Sequence, residues 1–254
     1  MRSNGYQGFG LRGIGRQDNP SYLDGGALGY RCEATTIQGF IQQLAVGYVG
    51  RGYFFYVLGR IPEGKDPRRI DEKLITKYGV DISKAARSRR KALGYANVQY
   101  LRYREHFVIA ATPGKHEFFL EEAGQLRDAR EVPIKLFDYA ISYRAGHPHV
   151  RIEQGRYLEL KSYFSDIAVH RSKSNLEHNL GILRFEPYAP VRSQLHCILR
   201  VVNRRRKLAQ FELLDSSCLR TRRRIVRPFG PPYDCISQME NCEGFQSPEE
   251  SRAA

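Results

Sequence analysis

A chain of 254 residues with 41 Lys and Arg against 27 Asp and Glu, net +14, is long enough for one well-filled domain, and its charge favours a polyanionic partner without specifying a fold. At 41% hydrophobic residues a core can form. No apolar run approaches the roughly 18 residues of a membrane span and the N-terminus has no apolar signal segment, so a cytoplasmic protein with no membrane partner is expected.

Residues 1–34, rich in Gly, Asn, Ser and Arg, have no sustained apolar period and read as a flexible arm. The aromatic run Tyr53 to Leu58 reads as a strand. Asp66 followed by Pro67 marks a helix start, with Ile70, Leu74 and Tyr78 at fourfold spacing and Gly79 as its stop. A second helix from Ser83 to Gly94 has only Ile82, Ala85, Ala86 and Leu93 to pack. Two β-rich runs, 97–104 and 106–112, predict a tight hairpin. Residues 117–130 read as a helix weakened by Gly124, and 132–143 as a strand.

The resulting order, strand-helix-strand-strand-helix-strand, predicts an α+β fold built on a ferredoxin-like antiparallel sheet. After Gly146, His149 to Glu153 reads as a further strand. Tyr157, Leu160, Phe164, Ile167 and Ala168 mark an amphipathic helix that begins a C-terminal helical extension. A last helix from Pro190 carries Val191, Leu195, Ile198, Leu199 and Val202 at i, i+4, i+7, i+8 and i+11. A single core over 35–229 and a disordered tail over 230–254 complete the expected organisation.

The cations fall into patterned groups. Arg200, Arg204 and Lys207 lie opposite the apolar stripe of the last helix, and Lys84, Arg87 and Lys91 share a face with no acid between them. Like charges at these spacings repel by a few tenths of a kcal/mol per pair, which a phosphate backbone would relieve. Tyr100, Arg102 and Arg104 alternate onto one strand face, where a base could stack on the ring beside the guanidinium groups. The glycines and aromatic order of an RNA-recognition module are missing from Arg104 to Val108. Arg222, Arg223 and Arg224, within the run Arg220 to Arg227, suggest an extended basic arm. These twelve residues are the expected nucleic-acid contacts, to DNA or RNA.

Catalytic signatures are weaker. Gly59 to Asp66 has the context of a phosphate-binding loop, but Asp66 stands where a hydroxyl must meet magnesium and Pro67 removes an amide, so an N-cap explains it better. A single-strand DNA nickase of the His-hydrophobic-His type would need a divalent metal on His147, His149 and Glu117, and Tyr157 or Tyr163 as nucleophile. Pro148 interrupts the first pair, and His106-Phe107-Val108 lacks the second histidine. Outside that reading no cofactor is expected. Five cysteines, Cys32, Cys197, Cys218, Cys235 and Cys242, without a Cys-x-x-Cys pair, are expected as thiols. A third reading is a non-catalytic assembly module that docks an acidic protein partner.

Tyr53 to Pro67, Lys84 to Lys91 and Arg222 to Phe229 together resemble an uncharacterised family of multi-copy bacterial proteins, over most of residues 35–229. The resemblance implies a mobile-element association and assigns no site residues.

Overall fold

The structure, a computed structural model, describes residues 29–223 and 226–230. It is a mixed α+β protein with two antiparallel sheets and several helices. The chain enters through α1 (Ile37–Gln42), capped by the Thr36 hydroxyl, and continues through a wider π-type turn (Gln43–Tyr48) and a 3-10 turn (Val49–Arg51). Phe40, Ile41, Leu44, Ala45, Tyr48 and Val49 bury one side of this unit, which the sequence reading passed over. A Cβ on Gly39 would sit 2.9 Å from the Pro228 Cα, so glycine there lets the end of the core lie against α1.

Strand β1 (Phe55–Arg60) is followed by α2 (Pro67–Lys77), α3 (Lys84–Ala92), β2 (Val98–Tyr103) and β3 (His106–Ala111). Asp66 caps α2 by accepting from the Arg68 amide at 2.9 Å, and Ser83 caps α3. The buried side of α2 is Asp71 and Ile75 with Tyr78 beyond it, one position off the expected Ile70 and Leu74 stripe. The helix expected over 117–130 is reduced to α4 (Phe118–Glu121) and a short strand, β4 (Arg127–Asp128). The first sheet has the order β2-β3-β1-β4, with every neighbour antiparallel.

The strand expected over 132–143 becomes two, β5 (Ile134–Leu136) and β6 (Tyr139–Arg144), turned by Phe137 and Asp138 at positive φ. With β7 (His147–Ile152) they form a separate sheet, β5-β6-β7. Helices α5 (Gln154–Ile167), α6 (Lys173–Gly181) and α7 (Ala189–Leu208) follow.

Alternation along the strands sends side chains of the first sheet into two cores. Val57, Val98, Tyr100 and Ile109 meet Ile75, Tyr78 and Phe118 in the smaller. Tyr56, Leu101, Val108 and Ala110 join the larger, with the 37–51 unit, the second sheet and α5, α6 and α7. Both faces of the first sheet are therefore covered.

The outer edge of β2 is also occupied. Ala34 donates to the Arg102 carbonyl and the Arg102 amide donates to Cys32, both at 2.8 Å, which lays residues 32–34 parallel to the strand. One residue pair inward, the Tyr30 hydroxyl accepts from the Tyr100 amide at 3.2 Å and donates toward its carbonyl at 2.8 Å. The final residues of the expected arm are thus part of the packed structure, whereas residues 1–28 and 231–254 lie outside the described region.

Candidate nucleic-acid interface

Helix α7 carries the clearest basic face. All five residues of its predicted stripe are buried, each worth about 1.5–3 kcal/mol on removal from water, and this fixes the rotation of the helix. Arg200, Arg204 and Lys207 consequently stand exposed, and none forms an ion pair among the described residues. Arg205 beside them donates to the Ser165 hydroxyl of α5 at 3.2 Å. Arg206 turns inward at 4% exposure and donates to the carbonyls of Ala168 (2.9 Å), Arg171 (3.1 Å) and Glu212 (2.6 Å). Its guanidinium ties the end of α5 to α7 and covers carbonyls at a helix C-terminus, where a cation is favoured. The run Arg204 to Lys207 gave no sequence signal separating this inward arginine from its neighbours, apart from its i+4 spacing from Val202.

Helix α3 carries a second basic surface on other elements. Lys84 and Lys91 are exposed as expected, together with Arg89. Arg87 is turned toward the body, donating to the Val80 carbonyl at 3.0 Å, while its own carbonyl accepts from the Asn97 side chain at 3.0 Å. The three-cation face read from the sequence is thereby split. Leu93 and Tyr95, 74% and 48% exposed, follow directly after the helix.

The expected Tyr and Arg strand face is not open. Tyr100 is fully buried and Arg102 is 3% exposed. Arg102 Nε donates to both oxygens of Asp71, at 2.9 and 3.0 Å, and its Nη atoms reach Glu33 at 3.1 and 3.0 Å. The Tyr100 hydroxyl donates to Asp71 at 2.6 Å. Burial, followed by the hydrogen bond to Asp71, holds that phenol far above its ordinary range. Burial and the same carboxylate push the Cys32 thiol up to about 12, so it stays protonated and unreactive near neutrality. Only Arg104 of the trio is exposed, at the hairpin turn with φ 53°, its guanidinium 5.4 Å from the Tyr103 ring.

Two arginines of the run near the end of the core, Arg220 and Arg223, are held by other elements. Arg220 pairs with the buried Glu186 at 3.0 Å, and Arg223 lies 4.5 Å above the Tyr188 ring while donating to Gln42 at 2.9 Å. Arg222 is exposed, and Arg224 lies outside the described residues.

The nickase residues do not assemble into a site. His147 and His149 share β7, with His147 exposed and His149 partly covered, but no group of three or more His, Cys, Asp or Glu among the described residues is arranged to hold a metal, so Glu117 does not complete one. Burial, with Arg144 and Arg151 nearby, lowers the pKa of His149. Tyr157 is half-buried against Cys197 on α7, and burial pushes its hydroxyl up to about 12, which disfavours the phenolate a nucleophile needs. Tyr163 is 53% exposed with its ring against Phe164.

A shallow cleft of 320 Å³ beside the β5–β6 turn has its charges paired: Lys135 with Glu153 at 2.8 Å, and Arg156 with Asp138 and Glu159 at 3.6 and 3.1 Å. Glu153 also caps α5. Cys32, Cys197 and Cys218 are free thiols. No helix among the described residues is long and apolar enough to cross a membrane.

No family model matches the chain, and no curated protein is similar to it in sequence.

Proposed function

We propose that the protein binds nucleic acid through its phosphate backbone, using the outward faces of α7 and α3. The observation that carries this reading is the exposure of Arg200, Arg204 and Lys207, without an ion-pair partner among the described residues, on a helix whose opposite side is locked into the core. Successive members of that row are about 6 and 4.5 Å apart along the axis, so one rigid helix offers cations over about 10 Å. A solvated surface would ordinarily intersperse acids among them, as on α5, where Glu159 neutralises Arg156.

The scaffold reading belongs to the same proposal. The order β2-β3-β1-β4, with β1 antiparallel to both neighbours, supports a ferredoxin-like core extended by the second sheet and α5 to α7. Because both faces of that sheet are covered, the proposed contacts lie on helices rather than on an open sheet face.

The test is binding of the full chain to labelled oligonucleotides over a salt series. Affinity should fall steeply with salt, and replacing Arg200, Arg204 and Lys207 together by Ala should flatten the log-log slope by about 2–3. An unchanged slope and affinity in that variant would remove α7 from the interface. A complex recovered from cells that survives nuclease treatment would replace the nucleic acid with an acidic protein partner.

A further inference from the structure

Helix α3 is unusual in its attachment. Its nine residues, Lys84 to Ala92, include five cations and no acid, and none of its side chains is buried. Nine residues make an isolated helix only marginally stable, and cations at i, i+3 and i+4 spacing weaken it further. What holds it is polar and local: the Ser83 hydroxyl accepting from Ala86 at 3.1 Å, Arg87 donating to Val80, and Asn97 donating to the Arg87 carbonyl. The molecule thus fixes a helix on its surface without using that helix to build a core.

The inward side of α3 consists of the partly covered Ala86, Arg87 and Arg90. At 100° per residue the opposite crest falls on Ala85, Ser88 and Ala92, all exposed, with Lys84 and Lys91 along one flank and Arg89 along the other. No acidic side chain pairs with Lys84, Arg89 or Lys91 among the described residues. The helix is about 13 Å long and, with so short a crest, no wider than the roughly 12 Å major groove of B-form DNA. Cations on both flanks match phosphates on both walls of such a groove. The deep, narrow major groove of an RNA duplex does not admit a helix, and a single strand has no second wall.

We infer that α3 enters the major groove of duplex DNA, with Lys84 and Lys91 on one phosphate wall and Arg89 on the other. This rests on the nucleic-acid reading above and narrows its ligand to one class. The crest, too short to span a base pair's edge with long polar side chains, makes the contact one of shape and charge, with Ser88 the one crest residue able to hydrogen-bond a base edge.

The experiment uses the full chain and fluorescence anisotropy on four probes of about 20 nucleotides per strand: a DNA duplex, the same duplex with glucosylated 5-hydroxymethylcytosine filling the major groove, an RNA duplex and single-stranded DNA. Binding to the plain duplex should exceed binding to each of the others by about tenfold or more, and netropsin in the minor groove should leave it unchanged. Ser88→Trp, which keeps every charge, should lower duplex affinity by about tenfold, and K84A/R89A/K91A should reduce the salt slope by about 2.7. Equal affinity for the plain and glucosylated duplexes, or for DNA and RNA duplexes, would overturn groove insertion while leaving nucleic-acid binding intact. Absence of binding to all four probes would overturn both.

Discussion

Replacing Arg102 by Ala separates a structural role from a binding role at a residue whose sequence context suggests nucleic-acid contact. The side chain is 3% exposed and supplies both Nε contacts to Asp71, the two Nη contacts to Glu33, and a 2.9 Å bond to the Arg104 carbonyl. Without it, Asp71 at 6% exposure retains, among the described residues, the Tyr100 hydroxyl and the 3.5 Å Cys32 thiol. A buried carboxylate stripped of its cation typically costs about 3–5 kcal/mol. At about 2–4 °C per kcal/mol for a domain of this size, the melting temperature should fall by about 6–20 °C. Urea denaturation followed by far-UV circular dichroism measures the loss, with an unchanged m-value confirming that stability alone has moved. The paired replacement D71L/R102M removes both charges and should recover part of the loss, because apolar substitutes for a buried ion pair are often neutral, whereas the buried Tyr100 hydroxyl loses its acceptor. Below its transition, Arg102→Ala should bind oligonucleotides within about twofold of the parent. A loss under about 1 kcal/mol accompanied by tenfold weaker binding would refute the buried-pair account.

Three further outcomes follow from the packing. Arg206→Ala should cost about 2–4 kcal/mol in urea denaturation, since it strands the buried carbonyl of Ala168 and unpairs the partly covered ones of Arg171 and Glu212, and Arg206→Lys should recover little because an ammonium cannot span the three acceptors. Gly59→Ala should destabilise by about 1–3 kcal/mol, because its Cβ would fall 2.0 Å from the Phe107 ring packed across β1, and a Phe107→Ala background should abolish most of that increment. Stability should fall on both sides of neutrality. Burial lowers His116 and His149, so the unfolded chain takes up more protons and stability is lost as pH drops below about 6.5. Tyr30, Cys32, Tyr78 and Tyr157 are raised to about 12 from 10.0 or 9.0, so the unfolded chain releases protons first and stability is lost as pH climbs from about 9 toward 12. Urea midpoints at several pH values check both limbs, and a flat alkaline limb would contradict the burial of these groups.

Much of the local structure could be read from residues. The α7 stripe was legible because five branched apolar side chains repeat over three turns, and Asp66-Pro67 marked α2 because capping is a local event. The 37–51 unit was illegible for the opposite reason. Its apolar positions are helical, but Gly39 and Gly47 lower the propensity, and the need for Gly39 comes from Pro228, far away in the chain. The α2 register slipped because an Asp is not read as a core residue until its partner Arg102 is known. Alternation correctly placed Tyr100 and Arg102 on one strand face; what covers that face is Tyr30, Cys32, Glu33 and α2, which periodicity does not report. The same distinction governs the candidate site. Which cations share a helix face is a matter of spacing, whereas the inward turn of Arg87 and Arg206 depends on carbonyls supplied by other elements.

The bonding of residues 30–34 along β2 has a colloidal consequence. An edge strand with free amides and carbonyls templates pairing with another chain, a hazard for any protein rich in β-branched and aromatic strands. Here the outward groups of Tyr100 and Arg102 are already spent, one pair on a phenol and the other on a backbone segment of the same molecule. Cleavage of the chain between Arg31 and Ala34 would bare that edge, and the product should self-associate through it while the helical surfaces stay as they were.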